Sequence, residues 1–226
     1  MLRLILGRAG TGKTALLFSE IAARCARRQS GSFLIVPEQY SHEAERELTQ
    51  RCGDTASLYA EVLSFSRLAH RVAIGCGGSA RVYIDKPGRF LQLSLALEQV
   101  GGALSVYGGS ARSPGRMVQL LSALDELRFG CAAPDALRKA AESATPSLAG
   151  KLRDLALLQE ALDALSAQSG ADPAGRLDVL AEQLPGCAWL RSAKFYIDGF
   201  TDFTAQERRV IRAVSYTHLT LPTIRL

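Results

Sequence analysis

The chain has 226 residues, 47% of them hydrophobic and 22% charged, which excludes wholesale disorder and fits one domain of ordinary size or one domain carrying an insertion. No apolar run approaches the ~20 residues of a membrane helix, and no small-residue cleavage site follows the N-terminal apolar stretch. Neither a membrane span nor a signal peptide is expected, and the expected location is cytoplasmic. The net charge of +5 permits contact with nucleic acid, but solvated helix faces account for the small clusters Arg24/Arg27/Arg28 and Arg208/Arg209/Arg212 at least as well.

Residues 2–6 (LRLIL) form a short apolar run ending at a glycine and read as a buried strand. Over residues 13–28, Leu16, Leu17, Ile21, Ala22 and Cys25 recur at helical spacing. Residues 33–36 (FLIV), closed by Pro37, read as a second buried strand. Residues 42–52 are charged and helix-prone, and residues 62–72 begin with an apolar pair and continue as helix. Strand, loop, helix, strand, helix is the rhythm of a parallel α/β sheet.

From about Pro87 to Leu184 the pattern becomes amphipathic helix, broken at glycine- and proline-containing joints such as 101–102, 108–115, 130–134 and 170–173. Sheet character returns at residues 194–197 (KFYI), followed by Asp198. Residues 205–214 read as a final helix, with Thr204 as N-cap and Glu207 at capping-box spacing. Residues 215–226 (SYTHLTLPTIRL) break that pattern and resemble translated sequencing-adapter read-through, which sets the expected end of genuine sequence near Val214. The expected architecture is a RecA-like parallel α/β domain over 1–86 and 191–214, with a helical insertion over 87–190. The five cysteines, Cys25, Cys52, Cys76, Cys131 and Cys187, lack CxxC spacing. Their odd count fits reduced thiols, and no metal site is expected from them.

The sharpest motif is Gly7-Arg8-Ala9-Gly10-Thr11-Gly12-Lys13-Thr14, which fits GxxxxGK[ST] at every fixed position. Glycines let the backbone curl so that N–H groups face phosphates, and a following helix presents its positive end. Lys13 then supplies charge to the β- and γ-phosphates of ATP, and the Thr14 hydroxyl coordinates magnesium. The second metal partner is expected at Asp198, which ends an apolar run; the alternative is a plain Asp-Gly turn. Gly199 follows, and it can do no acid–base chemistry.

Four segments in order, GRAGTGKT, LIVPEQYSHEAERELT, EVLSFSRLAHRV and FYIDGFTDFTAQE, resemble the AddB family over residues 1 to about 214. AddB is the second subunit of the bacterial AddAB helicase–nuclease, which resects double-strand DNA breaks. The resemblance implies a superfamily 1 helicase-like fold that binds ATP without being the motor, a role the AddA partner fills. It implies that Gln39 of the VPEQ segment belongs to the nucleotide site and to the DNA-facing side. Ser64, Phe65, Ser66 and Arg67 are the other DNA-contact candidates, for double- and single-stranded DNA. It further implies that the nuclease and its iron–sulfur cluster lie outside this sequence. Three other readings stay open: an active superfamily 1 helicase, against which Gly199 weighs; a small P-loop kinase; and a scaffold whose phosphate loop is a relic.

Overall fold

The computed structural model describes residues 2–76, 82–109 and 113–217. They fall into two compact units, one drawn from 1–80, 177–203 and 207–226, the other from 81–176 and 204–206.

The first unit is an α/β layer structure. Strands β1 (Ser32–Ile35), β2 (Ala60–Leu63) and β3 (Lys194–Ile197) form a three-stranded sheet in the order β2-β1-β3. Both pairings are parallel: Ile35 stands opposite Leu63 on one side and Ile197 on the other. The central strand β1 is buried at all four positions, as a strand covered on both faces should be; Ser32 is its polar member and Phe33, Leu34 and Ile35 are apolar. Successive side chains go to opposite faces. Phe33 and Ile35 enter one core with Phe65, Leu68 and Val72 of helix α3 (Phe65–Gly75) and Leu180 and Ala181 of α8 (Arg176–Gln183). Leu34 and Val36 enter the other, with Phe18, Ile21 and Cys25 of α1 (Lys13–Ala26) and Ala44 and Leu48 of α2 (Ser41–Cys52). Each fully buried aliphatic or aromatic side chain contributes about 1.5–3 kcal/mol relative to exposure.

The second unit is helical. Its core joins Leu93, Ala96 and Leu97 of α4 (Lys86–Val100), Leu120, Leu121 and Leu124 of α5 (Pro114–Phe129), Leu137 of α6 (Pro134–Glu142) and Leu155, Leu158 and Leu162 of α7 (Pro146–Ser169). The i, i+3/i+4 spacing of these residues places them on one stripe of each helix. Arg89 of α4 ties the unit together by donating to Asp125 and pairing with Asp172. These carboxylates hold its charge above the usual guanidinium range despite partial burial.

Several expectations change. Residues 2–6 form no strand; Leu2, Leu4 and Leu6 are 66%, 73% and 89% exposed. An apolar run becomes a strand only where another strand accepts its backbone, and among the described residues β3 pairs with β1 alone. The apolar pair Val62–Leu63 belongs to β2, and α3 starts after it. Residues 177–190 give Leu180, Ala181, Leu184, Cys187 and Leu190 to the core under the sheet, ahead of the sequence boundary at 190. Helix α9 (Ala205–Thr217) carries three residues into the segment 215–226, and residues 218–226 lie outside the described ones. The cysteines are not all reduced: Cys76 and Cys187 form a disulfide with Cα atoms 5.7 Å apart, a pairing hidden by a sequence separation of 111.

Candidate nucleotide site

Residues 7–14 run into the first turn of α1. Gly10 and Gly12 have φ of 76° and 82°, and Gly12 is the helix N-cap. Among the described residues nothing lies within 4 Å of an added Cβ at either position, so backbone conformation and not crowding calls for glycine there. Gly7 is the reverse case, since a Cβ there would stand 2.6 Å from Thr11 Oγ1. Gly12 brings no side-chain oxygen to cap α1, which leaves the first-turn N–H groups as the exposed positive end of a helix. Lys13 Nζ donates to the carbonyl oxygens of Gly7 and Arg8, both at 2.8 Å, and Thr11 Oγ1 donates to Arg8 O at 2.9 Å. The lysine thus closes the loop on itself. Arg8, Ala9 and Thr14 are exposed along it.

Because the three strands are parallel and in register, the segments after them leave from one edge of the sheet. Ligands of open parallel sheets bind at such carboxyl edges. Asp198 follows β3 there, partly buried, its N–H donating to Ile35 O at 3.1 Å. Gly199 has φ 80°, and its missing Cβ would lie 3.3 Å from Pro37 Cδ, so the segments after β1 and β3 touch. Gln39 is exposed in a short 3₁₀ turn, Glu38–Tyr40, on the same edge.

Lys13 and Asp198, distant in sequence, line one cavity of about 600 Å³, together with Arg3, Glu20, Tyr196 and Phe203. Arg3 donates to Glu20 at 2.6 Å. The Tyr196 hydroxyl is buried without a hydrogen-bond partner among the described residues, and burial, reinforced by Glu20, pushes its ionisation upward against the pull of Arg24 and Arg3.

The segment after β2 divides the remaining candidates. Ser64 is buried and its Oγ caps α3 by accepting from Arg67 N at 3.2 Å; Phe65 is buried in the core. Ser66 and Arg67 face outward, with Arg67 donating to Glu45 at 2.6 Å. Of the aromatic trio Phe65, Phe200 and Phe203, whose ring centroids lie 4.8 to 6.5 Å apart, sequence reasoning singled out Phe65 alone, as a DNA contact. The i, i+3 pair of phenylalanines after Asp198 was the available signal. Nothing in the spacing pointed to Arg3, Glu20 or Tyr196.

A family profile described as "ADDB, N-terminal" matches residues 4–218. Proteins named as subunits of an ATP-dependent helicase/deoxyribonuclease are similar to this chain. The one from Desulforamulus reducens is 38% identical over 93% of the chain and 19% of the relative. That from Moorella thermoacetica is 37% identical over 94% and 19%, and that from Pelotomaculum thermopropionicum 38% over 96% and 19%. The chain thus spans about a fifth of the length of these curated relatives.

Proposed function

The chain belongs to the family described as ADDB, N-terminal, and on that premise we propose that it is the ATP-binding, helicase-like portion of a helicase–nuclease subunit that acts in recombinational repair of DNA double-strand breaks. The observation that carries the reading is the cavity lined by both Lys13 of the glycine loop and Asp198 at the end of β3. A parallel sheet with helices on both faces supports a RecA-like domain, interrupted in sequence by a helical insertion over about residues 81–176.

The residues present fit a nucleoside triphosphate with magnesium. Left-handed glycines, an uncapped helix start and a lysine that needs only to give up two loop carbonyls make a cradle for phosphate. Lys13 and the first-turn N–H groups hold the phosphates, and Thr14 and Asp198 hold the metal. One or two protein oxygens suffice for magnesium, which takes its remaining ligands from phosphate and water. Magnesium–ATP supplies a compact, highly charged ligand around which these groups converge.

Turnover is a separate matter. Gly199 occupies the place where a hydrolytic helicase carries a glutamate to activate water, and its left-handed φ beside the Pro37 ring leaves no unstrained room for a side chain. The subunit binds ATP and leaves translocation to an AddA-like partner. Gln39, Ser66 and Arg67, exposed at the carboxyl edge, face DNA. The complex works in the cytoplasm. The nuclease and the iron–sulfur cluster are assigned to no residue of this chain.

Calorimetric titration of the full-length protein with magnesium–ATP tests the reading. Lys13→Ala is expected to weaken binding by about 30-fold or more, since a charge-assisted hydrogen-bond partner is lost, while the circular dichroism is unchanged. Equal affinity in the variant would sink the proposal. DNA-stimulated hydrolysis that collapses in Lys13→Ala would instead support an active superfamily 1 motor.

A further inference from the structure

The Cys76–Cys187 pair lies in the sheet unit and takes no part in the nucleotide site. Its two ends differ in exposure: Cys76, at the C-cap of α3, is exposed, whereas Cys187 is 2% exposed among Leu184, Leu190 and the core under the sheet. The bond closes a chain segment that contains the whole stretch 81–176. It therefore joins two positions of the sheet unit that lie on either side of that stretch in sequence. The single tryptophan of the sequence, Trp189, sits two residues from Cys187. Its indole packs where a Cβ on Gly75, next to Cys76, would be 2.6 Å away. Arg71 lies over the ring, 5.2 Å from the centroid.

We propose that this pair is a reversible thiol–disulfide site, entered only at the Cys76 sulfur by low-molecular-weight thiols and disulfides. In the reducing direction an external thiolate attacks Cys76 Sγ, the Cys76–Cys187 bond breaks, and the Cys187 sulfur leaves as thiolate and takes a proton. A second external thiol attacks the outer sulfur of the mixed disulfide at Cys76, releasing the Cys76 thiol and an external disulfide. Two thiols are oxidised as one protein disulfide is reduced. The oxidising direction is the reverse, with an external disulfide as oxidant. Attack at Cys187 is closed by burial, because exchange needs an approach along the S–S axis. The other pair behaves differently. Cys25 is buried and Cys52 partly so, and burial, then contact with Cys25, pushes the Cys52 thiol up to about 11, which keeps it protonated and unreactive.

The experiment uses the full chain with Cys131→Ser, so that the exposed Cys131 does not exchange. In the unreduced chain, alkylation mapped by mass spectrometry should leave Cys76 and Cys187 unmodified. A small monothiol should lower Tm by about 5–15 °C, as expected for opening a long loop in a chain of this size. It should also raise Trp189 fluorescence as the neighbouring disulfide quencher is removed. Cys76→Ser should start at the lower Tm and show neither response. With oxidised glutathione, Cys187→Ser should trap an adduct on Cys76, while Cys76→Ser should trap none on Cys187. An adduct at Cys187, alkylation of both cysteines in the unreduced chain, or the same thiol-induced drop in Cys76→Ser would overturn the proposal. Cys25→Ala, which leaves the pair intact, should keep both responses; their loss would also count against it.

Discussion

The two units treat free backbone N–H groups differently: the helical unit gathers three of them on an internal carboxylate, whereas the sheet unit leaves a helix start without a side-chain cap. In the helical unit, Asp154 of α7 is 2% exposed and accepts from Ser105 N at 2.9 Å, Val106 N at 2.7 Å and Tyr107 N at 3.0 Å, with Ser105 Oγ at 3.1 Å. Three consecutive amides and a hydroxyl surround a carboxylate that the protein itself supplies. In the sheet unit, residues 7–12 lie exposed ahead of an uncapped helix, and the Lys13 ammonium donates back to the loop carbonyls of Gly7 and Arg8. A cradle filled by an internal anion is structural; one left to solvent, with a cation over it, is suited to an anion from outside. The same backbone chemistry thus serves packing in one unit and, on our reading, recognition in the other.

The largest effect expected from breaking this contrast is on the filled cradle. Asp154→Ala removes the acceptor for three backbone amides in a buried setting. It should cost about 3 kcal/mol or more of unfolding free energy in denaturant titrations, given ~1–3 kcal/mol for each buried donor left unsatisfied and partial rescue by water. ATP affinity should not move beyond what lost stability explains. If Asp154→Ala is as stable as the parent, the three hydrogen bonds do not organise the segment after α4.

A smaller change is expected at the open cradle. Gly12→Ala meets no atom of the described residues within 4 Å, so its cost is the left-handed backbone alone, about 1 kcal/mol. Gly12→Asn, a residue that tolerates this conformation, should recover part of that loss. Equal stability of all three chains would show that the φ of 82° is not held in solution. The pair of experiments separates a site that is built for stability from one that tolerates strain for exposure.

The two cradles were also unequally legible in sequence. GRAGTGKT announces itself because phosphate binding demands glycines and a lysine at fixed spacing, and Asp198 because an acidic residue ends an apolar strand. Asp154 sits inside a helical pattern among KLRDLALL, where an aspartate reads as a solvated face; its partners are 47 to 49 residues away, and no local rule reaches that far. The helices were legible for the same reason that their cores are: apolar residues at 3.6-residue spacing, as in Leu155, Leu158 and Leu162. The four-residue strand β2 was absorbed into the helix after it, since two apolar residues carry no period of their own. Residues 2–6 had the opposite fault, an apolar run with no ladder to join. Ser64 and Phe65 were DNA-contact candidates by resemblance, yet one caps α3 and the other fills the core. The disulfide depends on a fold-level meeting that no spacing encodes.

The smallest expected effect sharpens the contrast through pH. Burial alone would raise the Asp154 ionisation, but the amides of Ser105, Tyr107 and Val106 and the Ser105 hydroxyl outweigh it and hold the folded carboxyl below its ordinary range. An unfolded aspartate titrates near ~3.9. The stability that Asp154 contributes is therefore fully present above about pH 4 and is lost as pH falls from there through the lower folded value, because the unfolded chain takes up the proton first. Unfolding free energy measured at several pH values between neutrality and about pH 3 should fall more steeply in the parent than in Asp154→Asn, which cannot titrate at this position. Other carboxylates titrate in both chains, so only the difference between the curves reports on Asp154. Parallel curves would mean that the amides do not favour the charged form, and the helical cradle would then be a packing contact and not an anion site.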